Sequence, residues 1–150
     1  MKKIILIFSL TLIGFVTSVN AQIEKPVSWG YKLAKLDQAN AILFIKATID
    51  EGWHIYAQNG KSGGPIPTKI SFTPNNGYVL VGKPSEPKPI VKFEKVYGFN
   101  VNYYENEVIF QQKIKLKQSK PVVKGKIEFM VCNDNKCLPS DEVTFSVPVK

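Results

Sequence analysis

Three observations predict an all-β chain folded as a sandwich of antiparallel strands. From residue 41 onward, short apolar or alternating runs are separated by Gly, Pro, Asn and Asp, the pattern of strands and turns. The runs recur at roughly 8–12-residue spacing, and no stretch beyond a few residues keeps the 3.6-residue period of an amphipathic helix. With 150 residues, 44% of them hydrophobic, the chain is long enough for one domain around one core. Together these give an expectation of about seven to nine antiparallel strands in an immunoglobulin-like β-sandwich.

At the amino terminus, Lys2 and Lys3 precede an uncharged apolar run over residues 4–16. The small and polar Thr17, Ser18, Val19, Asn20 and Ala21 follow, which is the layout of a secretory signal peptide. The 13 residues of that run would span about 20 Å as a helix, against a hydrocarbon core of roughly 30 Å, so a permanent transmembrane helix fits worse. Cleavage is expected after Ala21, leaving an exported domain over 22–150 that does not itself span the membrane.

Residues 41–49 read as the first strand of that domain. In 68–72, Ile70 and Phe72 oppose Lys69 and Ser71. Residues 78–81 and 90–93 are short apolar candidates. The clearest alternation is 108–116, where Val108, Phe110, Ile114 and Leu116 face one side and Ile109, Gln111, Lys113 and Lys115 the other, so one face of that sheet is wet. Residues 122–131 and 143–149 complete the set. The loops 59–67 and 82–89, the latter with three prolines, cannot be central strands.

Composition removes several function classes. The 20 basic residues outnumber 12 acidic ones, giving a net charge of +8, but every one is lysine. The bidentate arginine fork that nucleic-acid readers rely on is missing, so no nucleic-acid partner is expected. Two cysteines, Cys132 and Cys137, and one histidine, His54, cannot build a standard four-ligand zinc site. Gly60-Lys61-Ser62 ends like a phosphate-binding loop, yet Ile55 stands where that motif needs glycine. No cofactor is expected.

The chemistry-bearing feature is the cysteine pair. Five positions apart, the two side chains would diverge by about 140° on a helix. A hairpin serves better, because Asn133-Asp134-Asn135-Lys136 is a turn sequence that can bring the β-carbons within disulfide range. In an exported protein such a pair can persist oxidised. A loop of about six residues is a weak brace, worth roughly 2 kcal/mol against nearly 5 for a loop of about 100. A short turn also leaves sulfur open to an attacking thiolate. Lys136 would favour a Cys137 thiolate and Asp134 oppose it. Structural and redox roles stay equally open at this point, and a third reading has Cys132, Cys137, Met130 and His54 holding Cu(I) through reduced thiols. His54 alone reads as a strand residue with a surface polar tip. Trp53, Tyr56, Tyr97, Tyr103 and Tyr104 fit either a partner-binding edge or packing.

Glu51-Gly52-Trp53-His54-Ile55-Tyr56, Pro67-Thr68-Lys69-Ile70-Ser71-Phe72, Val96-Tyr97-Gly98, and Lys124-Gly125-Lys126-Ile127-Glu128-Phe129-Met130-Val131-Cys132 with Cys137-Leu138-Pro139 occur in this order. The set resembles the amino-terminal periplasmic domain of the thiol:disulfide interchange protein DsbD, across nearly all of 22–150. The resemblance implies an immunoglobulin-like sandwich whose two cysteines, here Cys132 and Cys137, form a reversible disulfide. It also implies electron transfer between membrane-associated parts of DsbD and periplasmic thioredoxin-like proteins. A loop in that family covers the cysteines with an aromatic residue beside acidic groups. The matching stretch runs from Phe93 to Gly98, with Val96 at the shielding position, Tyr97 or Phe93 as substitutes, and Glu94 and Lys95 at the acidic pair. Because the sequence ends at Lys150, the membrane electron donor is expected in trans, and the domain is expected to be a monomer. The alternative is a non-enzymatic exported binding module with a structural hairpin disulfide.

Overall fold

A computed structural model describes residues 24–150, so the signal-peptide expectation lies outside the described residues. Eleven strands and no helix occur there: β1 (Val27–Lys35), β2 (Asn40–Ile49), β3 (His54–Tyr56), β4 (Lys69–Phe72), β5 (Tyr78–Ser85), β6 (Ile90–Glu94), β7 (Phe99–Glu105), β8 (Glu107–Leu116), β9 (Val122–Phe129), β10 (Val131–Cys132) and β11 (Asp141–Pro148). They form three sheets, ordered β1-β2-β8-β5, β10-β3-β7-β6 and β11-β9-β4, with every pairing antiparallel. The fold is the all-β, immunoglobulin-like sandwich expected from the sequence. The excess over seven to nine strands includes short β3 and β10, whose two or three residues are too few to show a period.

The main core lies where the alternating faces meet. Leu43, Ile45 and Ala47 of β2 pair across to Gln112, Phe110 and Val108 of β8, all on the buried face. Ile127, Phe129 and Phe145 come from the β11-β9-β4 sheet. Trp29 of β1 bridges the two, its ring 6.3 Å from that of Phe110 and 5.2 Å from that of Phe129. Gly125 has no side chain because the Phe145 ring and the Ser71 carbonyl occupy the space a Cβ would need.

The stretch 82–89 is partly strand: β5 runs through Gly82 and Pro84 to Ser85. It does so at a sheet edge, with its register against β8 shifting between Val81 and Ser85. That is where proline and a positive-φ glycine are tolerated, and Gly82 has φ +72°. Gln112, fully buried on the core face of β8, serves this irregularity. Its Nε2 donates to the carbonyls of Lys113 (2.8 Å), Val81 (3.2 Å) and Gly82 (3.4 Å).

The β10-β3-β7-β6 sheet positions the cysteines, because both of its faces are covered. Ile55, Tyr104 and Val131 point into the main core. On the opposite face Tyr56, Val101, Tyr103 and Cys132 form a second cluster, joined by Tyr97, Phe99 and Met130.

Candidate functional site

Cys132 ends β10 and is disulfide-bonded to Cys137, which returns as an isolated antiparallel bridge partner with a Cα–Cα distance of 4.0 Å. The turn between them is built by Asn133. Its side-chain oxygen accepts from the amides of Asn135 and Lys136, both at 2.9 Å, while its own N–H donates to Lys136 O at 2.9 Å. Leu138 N donates to Val131 O at 2.9 Å and closes the hairpin below the disulfide. The two residues differ sharply in access. Cys132 is 1% exposed within the aromatic cluster, whereas Cys137 is exposed.

β3 sets the neighbours of Cys132. The register pairs Cys132 with His54 and, one strand further, His54 with Glu105. His54 is half-buried, not a solvent-facing tip. Its Nε2 lies 3.2 Å from the Tyr56 hydroxyl and its ring 4.9 Å from that of Tyr103. Burial pulls the His54 pKa below its ordinary value, outweighing the opposing pull of Glu105. Burial likewise pushes Tyr56 up to about 12, so it stays a neutral hydroxyl at physiological pH.

The segment matching the shielding loop is the tight β6–β7 turn, closed by hydrogen bonds from the amides of Tyr97 (3.1 Å) and Gly98 (2.9 Å) to Glu94 O. The structure places its residues differently from one another. Val96 is 88% exposed at the tip, and Phe93 is exposed on β6. Tyr97, half-buried, packs on the cluster that holds Cys132 and stacks on Phe99 with centroids 6.0 Å apart. The Glu94 carboxylate pairs with Lys92 at 3.2 Å.

Lys136 is engaged elsewhere than at sulfur. Its ammonium pairs with Glu24 at 2.6 Å and lies 5.9 Å from the Trp53 ring centroid. Beside it a groove of about 710 Å³ runs between Pro26, Phe129, Val131 and Leu138. The two sulfurs are bonded to each other, the state that offers no thiolate to Cu(I), and no group of three His, Cys, Asp or Glu side chains placed to hold a metal ion occurs among the described residues.

Sequence reasoning placed the cysteines and their hairpin but missed the row Cys132–His54–Glu105. Glu105 carried no signal of its own, because its place depends on β3 pairing with β7.

A β-sandwich that carries a short-loop disulfide at a sheet end, with one cysteine sealed and the other open, defines a class of immunoglobulin-like domains built around a cysteine pair. Residues 21–148 match the family described as thiol:disulfide interchange protein DsbD, N-terminal, and the chain belongs to that family. No curated protein sequence matches it. Among solved structures it resembles the Neisseria meningitidis DsbD N-terminal domain in the reduced form, at 18% identity and a TM-score of 0.51 over 79% of this chain and 83% of that one. The N. meningitidis structure of the DsbD N-terminal domain in complex with the PilB N-terminal domain gives 17% identity and 0.55, over 85% and 88%. The N-terminal periplasmic domain of ScsB from Proteus mirabilis gives 17% and 0.59, over 84% of this chain and 47% of that one, so the chain spans about half of it. At these identities the likeness is one of fold.

Proposed function

We propose that this domain passes electrons by thiol–disulfide exchange through a reversible Cys132–Cys137 disulfide, acting in the periplasm on thioredoxin-fold partners. The observation that carries the reading is the pairing of an exposed Cys137 with a sealed Cys132 across a turn too short to be a useful brace. An incoming thiolate has access to the Cys137 sulfur, and Cys132 is the leaving group. In the reverse direction Cys137 attacks a partner disulfide and Cys132 resolves the mixed disulfide. Family membership supports this chemistry, and the N. meningitidis relative is known in complex with a PilB domain. The family resemblance also supports a membrane-associated donor. Tyr97 and Glu94 are the residues of the β6–β7 turn that we assign to shielding Cys132 and tuning the pair, while the exposed Val96 offers a partner an apolar contact.

The test is the reduction potential of the pair, measured by equilibration with a thioredoxin of known potential. A value between about −150 and −280 mV with exchange on the seconds timescale is expected. A value below about −300 mV without exchange leaves only a structural disulfide in a binding module.

A further inference from the structure

Resting on the exchange reading, the geometry points to a role for the single histidine. We propose that His54 takes the proton of Cys132 when that thiol resolves a mixed disulfide, and returns it when the domain is reduced.

The need for such a group follows from the balance of the reaction. Cys137 thiolate attacks a partner disulfide, forming one S–S bond and expelling one partner thiolate. Cys132 must then lose its proton and attack the Cys137 sulfur, so that the internal disulfide forms and the second partner sulfur leaves as thiolate. Two electrons have passed to the partner, and one proton remains to be placed. Cys132 is 1% exposed among Tyr56, Val101 and Tyr103. Apolar surroundings hold a thiol protonated and inert, so resolution in that cluster is slow unless a neighbouring base assists.

His54 is the residue in register with Cys132 on the adjoining strand. Directly paired residues on one face of an antiparallel sheet have β-carbons about 5 Å apart, within reach for side chains of this length. Tyr56 OH, from the same strand, engages Nε2 at 3.2 Å and fixes the ring, leaving the other ring nitrogen for a second partner. The groups facing His54 are Glu105 and Tyr103 from β7, Lys92 and Glu94 from β6, and Asp134 from the cysteine turn. Burial keeps the imidazole neutral, the form that accepts a proton. Three carboxylates against one ammonium then receive the imidazolium once it forms. A general base must first lie within reach of the proton it accepts, and His54 is the imidazole that the register sets opposite Cys132.

The experiment uses the reduced protein and dithiobis(nitrobenzoate), an aromatic disulfide that releases a coloured thiolate at each step. The first release reports Cys137 and the second reports resolution by Cys132. Wild type, His54→Gln and His54→Phe are compared from about pH 5.5 to pH 9. Both variants are expected to keep the first release within about twofold, and a cooperative urea transition with the wild-type m-value shows that they are folded. Both are expected to slow the second release by about tenfold at pH 7, its rate then climbing with pH toward the range of an unassisted thiol near 8.5. A second release with wild-type rate and pH profile in either variant overturns the proposal. A wild-type protein that never gives the second release overturns the exchange reading, and this proposal with it.

Discussion

Cys132 and Cys137 face each other across one hairpin with Cα atoms 4.0 Å apart, yet the first is sealed in an aromatic cluster and the second is open to solvent. A sheet end produces this asymmetry. β10 still has β3 beside it and the cluster of Tyr56 and Tyr103 around it, whereas the returning strand has a bridge only to β10.

The asymmetry predicts an order of reaction. In the reduced protein, iodoacetamide is expected to label Cys137 at least about tenfold faster than Cys132, because access and thiolate character govern alkylation. Peptide mass mapping after short exposures reads the order. Equal labelling shows that the cluster opens on reduction and that the burial difference has no chemical consequence.

A second prediction concerns Gln112, whose Nε2 donates to three carbonyls at the register shift of β5. Gln112→Glu exchanges that donor for a buried carboxylate facing carbonyl oxygens. The cost is expected to be about 3 kcal/mol or more at pH 7, as for an uncompensated buried charge. Urea unfolding measures it. Part of the loss should return as pH falls and the carboxyl takes up a proton, which a merely loosened strand would not show.

Gln112 also shows what was legible in the sequence. The alternation of 108–116 is plain because β8 has one wet face, and Gln112 is the polar residue that the pattern alone would not place inside. β7 is the opposite case. Val101 and Tyr103 turn to the outer cluster while Tyr104 turns to the main core, so two buried faces erase the period of two. In β1, Val27, Trp29, Tyr31 and Leu33 do alternate with Ser28, Gly30 and Lys32, a signal present in the sequence but diluted by small residues. The cysteine hairpin was legible because its turn is local. Which cysteine is sealed, and that His54 sits beside it, depend on β3 pairing with a strand distant in sequence, which no local pattern encodes.

A third prediction tests the close approach at Gly125. Gly125→Ala puts a Cβ onto the Ser71 carbonyl and the Phe145 ring, a ring also fixed by Tyr31 at 5.2 Å and Phe72 at 5.7 Å. Backbone cannot rotate away as a flexible side chain can. The expected cost is about 3 kcal/mol, the upper part of the overpacking range, read as a lower urea midpoint with unchanged m-value. Gly30→Ala is the control, since nothing lies within 4 Å of its absent Cβ.

A fourth prediction uses the only histidine in the chain. His54 is pulled below its ordinary pKa of 6.5, chiefly by burial. As pH falls through that ordinary value, the unfolded chain takes up a proton that the folded chain resists, so protonation favours unfolding. Stability is therefore complete above about pH 6.5 and declines below it. The carboxylates held low in the fold, Asp37 by Asn40 and Glu128 by Lys126, act in the same direction but only nearer their own range around pH 4. Between about pH 5 and 6.5 the slope thus belongs to His54. Urea midpoints across that window are expected to fall with pH in wild type and to stay level in His54→Phe. An unchanged slope in the variant would place the titrating group elsewhere and remove the half-buried histidine from the account of acid sensitivity.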